Sequence, residues 1–239
     1  MHHMIRVKSF LLLGAVLSLS ATAQAGKPHK EGQVTLGAER LFGYTHTTQH
    51  LEIEGNIDFD NSGSTFSLLN NPGGQARGQN GAAVPNPIFN APRFGIDYFV
   101  ADNISVGGIV GLSTQSFTLS QEDVDNDLSA SGLLFGLRGG YTYMFATKYG
   151  IWPRLGFTYL RTTVKFEPEM GAETTTTFGM TALSIDVPIL ILATPSFGFT
   201  VGPTFDTTLA GGMTVDGGVD SQELSMTEFG IMVGLVGLL

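Results

Sequence analysis

The segment that most constrains the fold runs from Ser225 to Leu239, Ser-Met-Thr-Glu-Phe-Gly-Ile-Met-Val-Gly-Leu-Val-Gly-Leu-Leu. Phe229, Ile231, Val233, Leu235 and Leu239 fall at odd positions. Glu228, Gly230 and Gly234 fall between them, together with Met232 and Val236. A period of two, with one apolar face and one smaller mixed face, predicts a strand. The strand is long and is followed by no polar tail. In water such an edge would invite aggregation. A closed barrel in lipid removes the difficulty, because both edges are paired and the apolar face meets acyl chains. The preceding segments must then supply the partner strands.

They do so at a regular rhythm. Alternation predicts strands over 33–44, 93–100, 104–119, 131–144, 151–166, 175–192 and 197–209, and the C-terminal strand makes eight. Tight turns at Ala101–Asn103, Ala146–Lys148 and Ala193–Ser196 alternate with longer polar loops at 45–91, 120–129, 167–174 and 211–223. Short turns at one end and long loops at the other are the asymmetry of a transmembrane barrel. The stretch 45–91 is too long for a connection in a compact domain but is expected of an external loop. Three positions strain the pattern. Arg40 falls on the apolar face of the first strand, which calls for a bulge that turns Leu41 outward or for a snorkelling side chain. Pro188 and Pro203 lack the donor that a closed ladder needs, so each should sit at a bulge or a local break.

The N-terminus reads as an export signal, residues 1–25. Arg6 and Lys8 precede an apolar run from Phe10 to Leu19 and the small-residue exit Ala23-Gln24-Ala25. Residues 26–32 form a short lead, and 33–239 the barrel. Loss of the two cations Arg6 and Lys8 takes the formal charge from −9 to −11, which argues against a nucleic-acid partner. With no cysteine, disulfides and thiolate metal sites are excluded.

Taken together, the export signal, the eight alternating strands, the turn and loop asymmetry and the apolar last strand resemble the small outer-membrane β-barrels of the OmpA/OmpX type. The resemblance covers Gln33 to Leu239 and implies an all-β, eight-stranded antiparallel barrel in a bacterial outer membrane. Outer-membrane lipid, lipopolysaccharide and the barrel-assembly machinery are the implied partners. The chain departs from that family at its end, which carries Leu238-Leu239 where the family carries an aromatic residue.

Five charged residues, Asp97, Arg138, Arg154, Asp186 and Asp206, fall on inward-facing positions. The lumen of an eight-stranded barrel is only wide enough for side chains, and buried opposite charges must pair. They are expected to form one structural ion-pair network that plugs the lumen. The external loops hold most of the 21 acids against Arg77 alone. Asp123, Asp125 and Asp127 repeat the opening of a calcium loop, but Leu128 stands where Gly is required, so no metal site is expected. His29, His46 and His50 are the histidines beyond the export signal and read as hydrophilic loop residues. They have no recognisable nucleophile motif, so no catalytic residue and no cofactor are expected. The favoured function is a non-enzymatic structural or surface-interaction barrel. Transport of small apolar molecules through a lateral opening, with Pro188, Pro203 and the first loop as gate, is the alternative. Lipid modification through His46 or His50 is the second.

Overall fold

Period-two alternation builds strands almost everywhere in the computed structural model, which describes residues 29–53, 57–68, 76–77, 83–84, 91–121, 124–167, 173–216 and 222–239. Among these residues there is no helix. In chain order the strands are β1 (Val34–Ile53), β2 (Ile57–Leu68), β3 (Ala76–Arg77), β4 (Ala83–Val84), β5 (Arg93–Ala101), β6 (Ile104–Gln121) and β7 (Val124–Tyr141). They continue as β8 (Tyr143–Met144), β9 (Tyr149–Ile151), β10 (Arg154–Glu167), β11 (Thr174–Asp186), β12 (Ile189–Thr194), β13 (Phe197–Val215) and β14 (Gln222–Leu238). Neighbours pair antiparallel in the order β11-β10-β7-β6-β5-β1-β14-β13, and β11 pairs β13 to close the ring. β8, β9 and β12 extend β7, β10 and β11 toward the end that carries the short turns. The result is a closed barrel of eight antiparallel staves.

The start of β1 and the end of β14 lie at that same rim, where Thr35 pairs Leu238. At the opposite rim the hairpins rise well past the point where the outward face turns polar. There the sequence reading needs correction. The first strand does not stop at Tyr44; it runs to Ile53 and returns as β2, paired from Phe42↔Leu68 to Ile53↔Ile57. Likewise β6 and β7 pair up to Gln121↔Val124, through most of what reads as a loop at 120–129. Beyond Tyr44 the sequence of β1 is polar on most positions of both faces, so hydropathy alternation fades while backbone pairing continues; on β2 only the last outward residues, Phe66 and Leu68, carry it. Asp125 and Asp127 lie on β7; Asp123 lies outside the described residues. The export signal, residues 1–25, also lies outside them.

The irregularities have local causes. Between Ala38 and Phe42 the β1 register against β14 shifts by two residues, with Arg40 at φ 53. Two inserted residues preserve the phase, so Leu41 is buried rather than turned outward, while Phe42 and Tyr44 face outward. The wide bulge swings Arg40 into the lumen. The two prolines share one interruption: β11 ends at Asp186, β12 begins at Ile189, and Pro203 stands opposite. The Val187 N–H donates to the Pro203 carbonyl at 3.0 Å, and the Trp152 N–H to the Pro188 carbonyl at 2.9 Å, so the staves stay joined across it.

Candidate functional site

Side chains that point inward fill the lumen in three layers. At the short-turn end Phe99, Trp152, Leu190, Leu192, Val236 and Leu238 form an apolar floor. At the long-hairpin end Ile109, Leu134, Leu160, Met180, Leu224 and Met226 form an apolar roof. Between them lies a charged layer, four arginines (Arg40, Arg93, Arg138 and Arg154) against five carboxylates (Glu39, Asp97, Asp186, Asp206 and Glu228), every one buried.

Glu39 is the hub. Its carboxylate accepts from Arg93 Nε at 3.2 Å and Arg138 Nη1 at 2.8 Å, and from Arg154 Nη1 on its other oxygen. Arg138 also grips Asp97 with Nε and Nη2 at 2.8 and 2.6 Å, the bidentate geometry that suits a guanidinium. Asp186 links this half to the next, receiving Arg93 Nη2 at 2.8 Å and Arg40 Nη2 at 3.2 Å, with Arg154 Nη2 at 3.6 Å. Arg40 continues to Asp206 at 2.7 Å and Glu228 at 3.6 Å. Hydroxyls complete the far side: Ser184 donates to Asp206 at 2.6 Å and Thr47 to Glu228 at 3.2 Å. Arg154 also lies over the Trp152 ring, 4.9 Å from its centroid, so charged layer and floor meet.

Small residues on the wall make the room. A Cβ at Gly107 would lie 2.3 Å from Asp97 Oδ1, and one at Gly156 would lie 2.8 Å from Arg138 Cβ. A cavity of about 20 Å³ between Arg93, Arg154, Thr200 and Thr204 has room for one water molecule.

The five residues read from sequence, Asp97, Arg138, Arg154, Asp186 and Asp206, thus stand in one connected network. Arg138 and Arg154 are offset rather than level, each facing a glycine of its neighbour strand, Gly156 and Gly140. Sequence reasoning missed Glu39, Arg40, Arg93 and Glu228. Glu39 and Glu228 already lay on the inward phase of their strands. Arg93, at the start of β5, shares the phase of the inward Asp97. Arg40 needed the bulge.

The floor is completed by the lead. His29 is buried against Phe99 and Trp152, with ring centroids at 5.1 and 6.2 Å. It is a plug residue, not the hydrophilic loop histidine expected from sequence. Burial pushes its imidazole down to about 4. The His29 carbonyl accepts the Asn103 N–H at 2.9 Å, and the Gly32 N–H donates to the Phe99 carbonyl at 2.8 Å. Outside, Asp102 accepts the Glu31 N–H at 3.1 Å and pairs Lys30 at 3.3 Å, which together hold its carboxyl below the usual range.

The outer surface inverts this pattern. Leu112, Phe135, Leu137, Leu155, Phe157, Phe229 and Ile231 are all more than 40% exposed, a continuous apolar belt around the wall. Tyr98, Tyr141, Tyr143 and Tyr149 ring it near the short turns, and Tyr44 and Tyr159 near the long hairpins. Beyond Tyr159 the same face of β10 becomes Arg161, Thr163 and Lys165. Only a hydrocarbon slab between two wet interfaces satisfies such a surface, and aromatic girdles mark those interfaces. The chain is an eight-stranded transmembrane β-barrel.

No protein-family model and no curated protein matches the chain. Among solved structures it is similar to the outer membrane protein OprG from Pseudomonas aeruginosa, at 10% identity over 89% of this chain and 98% of that one, TM-score 0.45. It is similar to AlkL in lipid bilayers, at 15% identity over 91% and 94%, TM-score 0.44. It is also similar to the outer membrane protease OmpT from Escherichia coli, at 9% identity over 92% and 100%, TM-score 0.43. At such scores none of these bears on what this barrel does.

On the exposed face His46 Nδ1 lies 3.0 Å from Ser64 Oγ, which also accepts the Tyr44 hydroxyl at 2.8 Å, and His50 Nδ1 lies 2.7 Å from Asp60.

Proposed function

We propose that this barrel is a non-conducting, non-enzymatic outer-membrane protein that serves the envelope through its outer surface, as a structural or surface-interaction element. The observation that carries the reading is the connected charged layer, sealed between an apolar floor and roof. A solute crossing it would have to separate Glu39 from three arginines and pass the packed ring of Trp152. Breaking buried ion pairs costs several kcal/mol each.

Passage of small apolar molecules through the wall fits the site less well. The interruption at Pro188 and Pro203 leads to Arg93, Arg154 and Asp186, surroundings that an apolar solute avoids. Lipid modification would need one histidine to bridge a nucleophile and an orienting acid. Among the described residues no carboxylate is bonded to His46.

Liposome swelling tests the proposal. Vesicles carrying the folded protein should swell in small sugars and amino acids no faster than empty vesicles. Swelling that rises with protein content would refute it.

A further inference from the structure

We propose that the outward face around Arg161 binds the phosphate group of an outer-leaflet lipid. The inference rests on the outer-membrane reading and adds to it a place and the chemical group bound there.

On β10 the outward residues run Leu155, Phe157, Tyr159, Arg161, Thr163, Lys165. The first three belong to the lipid belt, with Tyr159 packed on Phe135 at 5.1 Å between ring centroids. Arg161 is the next outward residue, exposed, and so lies where acyl chains give way to headgroups. Across the sheet it faces Leu133 on β7 and Gly179 on β11, and Gly179 in turn faces Gly212 on β13. Two adjacent glycines leave the wall bare beside a guanidinium. A Cβ at Gly179 would meet only the Tyr159 hydroxyl, at 3.7 Å. The notch is thus flanked on its strand neighbours by Arg161, by the Tyr159 phenol and by the hydroxyl-bearing Thr177, which pairs Thr163.

That chemistry suits a tetrahedral oxyanion. A guanidinium binds two phosphate oxygens at once, and a phenol can donate to a third. Charge complementarity selects the partner. The chain is acidic overall at −9, and the other described lysine or arginine on this outward ridge, Lys165, already pairs Glu173 at 2.9 Å. A cation set directly above an aromatic girdle meets the phosphates of the leaflet itself. The site is therefore assigned to a lipid-borne phosphate rather than a free one.

The test compares wild type, Arg161→Gln and Gly179→Leu refolded into vesicles. The vesicles are phosphatidylcholine alone, or phosphatidylcholine with either bisphosphorylated or dephosphorylated lipid A. The readout is the unfolding temperature from Trp152 fluorescence. Wild type should gain about 3 °C or more with the bisphosphorylated lipid alone, and each variant should lose most of that gain. Equal gains with both lipids, or a full gain in Arg161→Gln, would overturn the site. A matching gain from inorganic phosphate over phosphatidylcholine vesicles would overturn the lipid assignment. Failure of wild type to insert into any vesicle would strike the membrane reading itself, a separate outcome.

Discussion

Replacing Glu39 by Gln removes one charge and almost no volume from the hub of the lumen. Three arginines feel the change unequally. Arg138 keeps its two bonds to Asp97 at 2.8 and 2.6 Å, and Arg93 keeps Asp186 at 2.8 Å. Arg154 is left with Asp186 at 3.6 Å and the face of Trp152. Removing one partner of a buried pair costs about 3–5 kcal/mol, because the other charge stays behind uncompensated. Two effects pull toward the lower end. The layer passes from four arginines against five carboxylates to four against four, and the Gln carbonyl still accepts one bond. The expected loss is about 3 kcal/mol. Urea unfolding in detergent reports it through the single tryptophan, Trp152, which lies against Arg154. The slope should be unchanged and the midpoint lowered. A Glu39→Gln unfolding free energy within about 0.5 kcal/mol of wild type would mean that water, not Glu39, solvates these arginines, and the hub account would fail.

Other outcomes follow from the same contacts. Glu228 meets Arg40 only at 3.6 Å, and Arg40 keeps Asp206 at 2.7 Å; Glu228→Gln should therefore stay within about 1 kcal/mol of wild type, and a loss as large as that of Glu39→Gln would contradict the ranking. His29 has its imidazole lowered from 6.5 to about 4 by burial. The docked lead then binds fewer protons than the free one, so docking is full above pH 6.5 and weakens as pH falls toward 4, by about 3 kcal/mol at pH 4. Trp152 fluorescence should shift over that window in wild type and stay flat in His29→Phe; a flat wild-type profile would refute the buried, neutral imidazole. Single cysteines at Ser64 and Glu223 should label with an impermeant reagent on intact cells and one at Asn103 should not; the reverse pattern would invert the barrel.

The fold was legible because membrane spans leave a strong mark. Alternation such as Leu133, Phe135 and Leu137 against Gly132, Gly136 and Arg138 is what a wall between lipid and lumen demands. Where the wall leaves the membrane the mark fades, so β1 beyond Tyr44, all of β2, and the start of β7 read as loop. The charged layer was half legible for a related reason. Strand phase alone puts Asp97, Arg138, Arg154, Asp186 and Asp206 inside, and it would have added Glu39, Arg93 and Glu228 had polar residues on that phase been followed along every strand. Arg40 was not accessible that way. Its inward turn depends on a two-residue bulge with positive φ, a tertiary feature with no periodic signature. His29 lay in a seven-residue polar lead; its burial comes from an aromatic pocket built by Phe99 and Trp152, residues 70 and 123 positions away in the chain.

Single-channel recording in planar bilayers tests the central claim, that the ion-pair layer seals the lumen. The wild-type barrel should show no steady conductance. Arg154→Ala, which opens the layer beside the existing cavity, should give at most brief flickers. A steady, ohmic wild-type current that scales with salt would mean a continuous water column past Glu39, Arg138 and Arg154, and would contradict the sealed lumen.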